Sequence, residues 1–594
     1  MNKTRIKKSL VLLFVLAGVI NQTLPAARTA SPPNASQAPT ITISPSVPSD
    51  ISSPINLQNA ALFAWQEFIA LNWPAVPQTG ALNTRDTPDT SKKFGDPTYN
   101  GPLVWHTFRG KVEIYPGTGN PPGYVNNSGA SYGYDARPQY IYQSGSVANG
   151  GVGTPTGQVL PFSSPGPVSP TPWINLDENS EIGVTTMYAG INPIAPVPGQ
   201  IILFLAKANR TEYNYVAANQ WWNNATGNRQ AAINNTQTYI TDKVQDPPAG
   251  SPNYVSFPYG TIELKAAWRK LTPTEISSKK FYTTRVRYYR TIPSGPNQGK
   301  PGYVNDVFGL VALHINHKTP SAPYFVYATF SQADNILDVN GNPVETVDGQ
   351  LLPPYQNANP MDPKIVAQNA TSADPATTSS VEHFSPLTST TQPQKRLFYV
   401  NTPTTPPPPP TTQGKVAVNR RVHNIPPEII GINKAAHSAI AAYNQQQGIQ
   451  SSPWPYYKLV NVQYVPYDKP PGTTYQGLPG GPDPSTYYQA NEVVETDYVL
   501  QVFSGQFQPQ LSPPNAQANI NNLITDYQPD GTPFKNVSFT GKGYLMGGCM
   551  GCHGNAQIAG ANFSFIFARG PVPSPETDDP ATSLRKFFKL FAKR

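Results

Sequence analysis

The chain has 594 residues, of which only 13% are charged while 11% are aromatic, with 32 tyrosines among them. That balance excludes a disordered acidic or basic tail and allows a large core to be buried. The formal charge of +8 is carried by the two ends. Taking away the five basic residues before position 31 leaves +3, and taking away Arg585, Lys586, Lys589, Lys593 and Arg594 leaves −2, so the high pI is no evidence for a nucleic-acid surface.

Residues 1–30 open with Lys3, Arg5, Lys7 and Lys8, continue with an apolar run from Leu10 to Ile20, and end in small residues around Ala26 to Ala30. That order is expected of a secretory signal peptide, with an uncleaved N-terminal anchor as the alternative. No cysteine follows the run, which argues against a lipoprotein anchor. Residues 31–50, rich in Ser, Pro, Thr and Ala without periodicity, read as a flexible leader.

A β-rich body is expected over 51–400. The 68 prolines of the whole chain, mostly single and between apolar runs, predict many short elements joined by ordered turns. Ser53-Pro54 is expected to cap a core helix through Trp65 and Ile69 that Asn72-Trp73-Pro74 ends. Strands are expected at Ile201–Ala206, Lys280–Thr291, Phe308–Ile315 and Tyr324–Phe330, the last two around the turn Lys318-Thr319-Pro320-Ser321. The segment 401–414, with Pro406 to Pro410 in a row, reads either as an extended linker or as a surface loop. Residues 415–594 follow, with helices expected at Ile429–Tyr443 and Glu492–Phe503. Leu584, Phe587, Phe588 and Phe591 fall at helical spacing among basic residues, which predicts a helix that packs on the core or lies on a membrane surface. The fold class expected is mixed α+β, mainly β, with helices in the C-terminal region.

The chemistry concentrates in that region. The two cysteines of the chain stand in Cys549-Met550-Gly551-Cys552-His553, the spacing of a c-type haem attachment site. Two thiols three residues apart can each add to one vinyl group of the same porphyrin, and His553 then lies under the iron as proximal ligand. A redox disulfide would open a helix in a βαβ pattern, which is not evident here, and a zinc cluster would need further thiolates.

The distal ligand is open. No Met or His follows Gly554, so a second axial ligand would come from upstream: His106, His314, His317, His383, His423, His437, Met187 or Met361. His314 leads because it ends an apolar strand, where a buried polar ring needs a partner. Strict alternation puts it on the face of Leu310 and Ala312, with His317 on the other. His423 is second, with Arg420 and Arg421 beside it as candidate partners of the haem propionates. Tyr544 and Arg569 are further pocket candidates.

The segments WQEFIALNWP (65–74), GLVALHINHKTP (309–320), YATFSQADN (327–335), CMGCHGNA (549–556) and FSFIFA (563–568) resemble bacterial secreted proteins of the cytochrome c family. The resemblance implies one covalently attached haem and export to the periplasm or beyond, and no particular substrate. Three functions are compatible with these features. One is single-electron transfer between periplasmic redox partner proteins. Another is a haem enzyme with an open distal site, where His314 acts as acid–base residue. The third is a docking platform for a larger partner. Signatures of a dinucleotide fold, a calcium loop, a serine-hydrolase elbow and a zincin are missing from the sequence.

Overall fold

The stretch from Leu57 to Leu71 holds no glycine or proline and a single β-branched residue, and it folds as helix α1 (Leu57–Leu71). The computed structural model describes residues 39–76, 84–143, 145–147, 159–162, 171–179, 202–243, 246–338, 342–356, 365–367, 424–465, 537–539, 542–544, 549–550, 553, 556–557 and 559–578. The N-cap of α1 is Asn56, whose side chain accepts from the Asn59 backbone N–H at 2.8 Å, and not Ser53 as the sequence suggests. A carboxamide three residues before that N–H satisfies it directly. The helix ends at Asn72 as expected, where the side chain donates to the Phe68 carbonyl. Its residues are buried nearly all round, as for a helix inside a core.

Nine strands make one sheet: β1 (Arg109–Gly110), β2 (Leu160–Pro161), β3 (Ile174–Leu176), β4 (Leu203–Ala208), β5 (Ile262–Arg269), β6 (Thr283–Thr291), β7 (Pro301–His317), β8 (Val326–Gln332) and β9 (Tyr457–Gln463). The main path runs β1-β4-β5-β7-β8-β9, with β6 and β2 also on β7 and β3 on β6. All pairs are antiparallel except β3 with β6. The 17-residue β7 organises it, because its first half pairs with β6 and its second half with β5 and β8. The expected mixed architecture with a predominant sheet is therefore observed, with an antiparallel sheet and fewer helices.

Three differences from the sequence reading have physical causes. Residues 39–50, expected in a flexible leader, hold Ile41 in the core and bring Asp50 to Ser321. An apolar side chain with a site on the body is enough to order them. Leu310 does not share a face with Ala312 and His314. The β5–β7 register slips by one at Ala267/Trp268, so Ala312 opposes Ala267 while Leu310 opposes Trp268. A bulge of this kind flips every side chain beyond it. Finally, residues on both sides of the proline-rich segment belong to one sheet, since β9 pairs with β8.

Helix α2 (Arg210–Ala218) and helix α3 (Asn228–Lys243) lie between β4 and β5 in sequence. After residue 415 the chain forms helix α4 (Pro427–Gln447) and the short α5 (Phe565–Arg569), and Cys549, Met550, His553, Ala556 and Gln557 are helical as well. The expected linker 401–414 and the expected helices at 492–503 and 584–591 lie outside the described residues, as does 1–38. Among the described residues no helix is long and apolar enough to cross a membrane.

Loop-rich structure leaves carbonyls without ladder partners, and buried cations supply donors to them. Arg109 donates to the carbonyls of Tyr134, Glu113 and Pro122, and Lys207 to those of His106 and Phe108. Arg85 is paired with Glu113 at 2.8 Å, both fully buried.

The sheet has two unlike faces. Ile262, Leu264, Ala266, Leu313, Ile315, Ala328, Phe330, Leu459 and Val462 form the apolar one. Helix α1 packs on it, with Phe68 stacked on Phe330 at 4.3 Å. Helix α4 locks α1 in place through Asn433, whose Oδ1 accepts from Trp65 Nε1 at 2.8 Å and from the Leu459 N–H, while Nδ2 donates to the carbonyls of Asp348 and Leu459. Replacing Asn433 by Ala strands several buried groups at once. The expected loss is about 2–4 kcal/mol of unfolding free energy in urea titrations, and an unchanged midpoint would contradict this role.

Candidate functional site

The other face of the sheet is polar and nonetheless buried. Lys265, His314, Thr329 and Asn461 oppose one another across four strands, and the next row is Glu263, Asn316, Tyr327 and Gln463. Asn461 and Gln463 are fully buried, and His314 and Lys265 are half-buried. A buried polar surface needs partners. Part of them come from the C-terminal segment that carries the cysteines.

That segment is tied down at many points. The Met550 N–H donates to Gln463 Oε1 at 3.0 Å, and the Met550 side chain is in the core. Gln557 donates to Asp246. Asn562 Oδ1 accepts from the Phe257 N–H at 2.8 Å and from Lys318 Nζ at 2.7 Å. Arg229 donates to the carbonyls of Phe567 and Ala568, and Arg290 pairs with Asp578 at 2.7 Å. Ser564 caps α5 by accepting from the Phe567 N–H at 2.9 Å.

His553 sits on this face between the rings of Tyr327 and Phe565, each with its centroid 4.9 Å away. Its Nδ1 is 2.6 Å from the Phe563 carbonyl oxygen. A carbonyl only accepts, so Nδ1 carries the hydrogen and Nε2 keeps a lone pair. Burial lowers the His553 pKa to about 4, with the charges of Lys265 and His314 adding to the effect and the Phe563 bond opposing it. The ring is therefore neutral at pH 7, the form that ligates a metal. Cys549 lies partly buried against the core.

The other sequence candidates separate clearly. His314 shares the face, with Nδ1 3.0 Å from Thr329 Oγ1. His317 is on the opposite face as expected, 2.8 Å from Glu67 of α1 and against Phe63, which removes it from the site. His106 is buried among Trp105, Trp268 and Tyr282. His437 has both ring nitrogens engaged within the fold, with Asp348 at 2.6 Å and the Tyr457 carbonyl at 2.7 Å, so neither nitrogen faces the site. Arg569 reaches toward Glu178 at 3.7 Å. Cys552, Arg420, Arg421, His383, His423, Met187 and Met361 lie outside the described residues, as does the side chain of Tyr544.

Sequence reasoning missed Tyr327, Gln463, Phe563, Phe565, Asn562 and Lys318. A signal for one of them existed: Tyr327, Thr329 and Ser331 alternate with Ala328 and Phe330, a polar face on a strand too apolar to be exposed. On β9 the same pattern is broken by a bulge near Val460.

An acid pair stands beside the segment. Glu212 of α2 and Glu263 of β5 are buried and interact, and both carboxylate oxygens of Glu212 and one of Glu263 are buried without a hydrogen-bond partner among the described residues. Burial raises both above the ordinary carboxyl range, and repulsion from Glu263 raises Glu212 further. Two interacting carboxyl groups withdrawn from water resist losing both protons. Compared with family models, curated proteins and solved structures, the chain matches none. Among the described residues no three His, Cys, Asp or Glu side chains converge as a metal-ion site.

Two pH dependences follow. The native state holds the His553 ring unprotonated down to about pH 4, whereas an unfolded chain protonates it near 6.5, so this contribution to stability is complete above 6.5 and lost as pH falls toward 4. In a Cys549→Ala/Cys552→Ala chain the loss should stay below about 3 kcal/mol, since the ring is only half-buried. Urea midpoints at pH 7 and 4.5 should diverge less once His553→Phe is added. The acid pair works in the opposite sense. Its raised values favour the native state below the unfolded carboxyl pKa, and that contribution is lost as pH rises through the higher folded values. Glu212→Gln should therefore gain stability relative to the parent between pH 5 and pH 8, and a pH-independent difference would contradict the raised carboxyl values.

Proposed function

We propose that the protein is an exported monohaem c-type cytochrome whose role is single-electron transfer to and from periplasmic redox partner proteins. The observation that carries the reading is the Nδ1–H of His553 donating to the Phe563 carbonyl, on the histidine that closes the CxxCH motif. A metal-ligating histidine characteristically donates its second ring nitrogen to such an acceptor, which fixes the tautomer and raises the basicity of the other nitrogen. Cys549 and Cys552 would hold the haem covalently and His553 Nε2 would ligate its iron. Bound there, the haem supplies a one-electron ferric–ferrous couple. The residues around it do the rest. Phe563 holds the Nδ1 proton, Tyr327 and Phe565 flank the imidazole and limit water, and burial keeps the ring neutral.

A second reading, a haem enzyme, is favoured by one observation. His314, singled out from its place at the end of an apolar run, faces the same side of the sheet as the partners of His553 and is near enough for its charge to weigh on that ring. It would serve either as second axial ligand or as an acid–base group.

The test is the optical spectrum of protein matured in a periplasm competent for haem attachment. Haem that survives denaturation and is lost in Cys549→Ala/Cys552→Ala supports attachment, and a haem-free product from the unaltered chain refutes it. A ferrous spectrum unmoved by carbon monoxide indicates two firm axial ligands and an electron carrier. One that shifts on binding indicates an open iron site and gives the enzyme reading precedence.

A further inference from the structure

The carbonyl that holds His553 is presented by an unusual turn. Asn562 and Phe563 are successive non-glycine residues in the left-handed region, with φ of 48° and 65°. Asparagine enters this region readily, but a bulky phenylalanine does so only when its surroundings impose it. Phe563 is buried in the core, and α5 begins two residues later behind the Ser564 cap. The turn aims the Phe563 carbonyl at His553 Nδ1.

The force that holds the turn comes from Asn562. Its side chain is fully buried, and its Oδ1 takes two bonds, from the Phe257 N–H at 2.8 Å and from Lys318 Nζ at 2.7 Å. Its Nδ2 is buried without a hydrogen-bond partner among the described residues, so the amide is gripped through its oxygen alone. Lys318 is itself a fixed point. It follows the last residue of β7, is buried, donates its N–H to the Thr261 carbonyl and accepts at its own carbonyl from Gly260. A continuous chain therefore links the sheet, through Lys318 and Asn562, to the Phe563 carbonyl and the His553 ring.

We infer that Asn562, held by Lys318, is a positioning residue for the proximal histidine and sets the ferric–ferrous balance of the haem by fixing the Nδ1–H···O=C bond. The inference rests on the cytochrome reading. A well-aligned bond gives the imidazole more electron density to donate and favours ferric iron, and a looser carbonyl favours ferrous iron. Nothing in this chain of contacts requires Lys318 or Asn562 to touch the haem.

The experiment is potentiometric titration of the holoprotein with three substitutions. Asn562→Gly keeps the left-handed backbone accessible and removes the grip, Lys318→Met removes one donor, and Asn562→Asp retains the accepting oxygen. Asn562→Gly and Lys318→Met should raise the midpoint potential, by the order of tenfold in the ferrous-to-ferric equilibrium or about 59 mV for one electron. Asn562→Asp should stay near the parent. A merely structural role would lower the urea midpoint in the first two variants and leave the potential of the folded fraction unchanged, and that outcome overturns the inference. If Asn562→Gly does not fold, Lys318→Met decides on the same criterion. Absence of covalent haem from the unaltered chain would instead refute the cytochrome reading, so the two failures are distinguishable.

Discussion

A sheet with one apolar face can be finished by helices, but a sheet with two buried faces of opposite character imposes a second requirement. Here α1 and α4 satisfy the apolar side, while the rows of Lys265, His314, Thr329 and Asn461 and of Glu263, Asn316, Tyr327 and Gln463 form a polar side that is also withdrawn from water. Each buried donor or acceptor there costs free energy unless it is bonded. The C-terminal segment answers part of that need, and in doing so is held in a geometry it would not adopt alone.

Anchorage and chemistry are consequently hard to separate in this molecule. The contacts that fasten the described residues of this segment, through Gln463, Asp246, Phe257, Lys318, Arg229 and Arg290, place the Phe563 carbonyl that holds His553 Nδ1. The low share of charged residues fits this arrangement. Most of the charge that is buried does a local task, either bonding carbonyls that loops leave bare, as Arg109 and Lys207 do, or pairing within a short reach, as Arg85 and Glu113 do.

Local patterns in the chain foretold local structure well. The apolar stretch 308–315 became the second half of β7, the run 324–330 became most of β8, and the period from Ile429 to Tyr443 lies within α4, because each carries its signal within one element. The opposition of His314 and His317 was equally plain. What escaped was set by partners far away in sequence. The bulge that sends Leu310 across the sheet depends on β5, the ordering of Ile41 depends on the core, and the role of the Phe563 carbonyl depends on a turn that only Phe257 and Lys318 hold. No single window of sequence contains these relations.

The order of residues along the chain also gives the structure a direction in time. Asn562 meets Lys318 across 244 positions, Gln557 meets Asp246 across 311, and Arg229 meets Ala568 across 339. In each case the body supplies the earlier residue and the cysteine-bearing segment the later one. During synthesis from the N-terminus, the residues that receive the segment are therefore made before it. Closing such long loops is slow compared with forming hairpins like β7–β8. By the sequence separation of its contacts, the described part of the segment that carries Cys549 is expected to dock after those hairpins have formed.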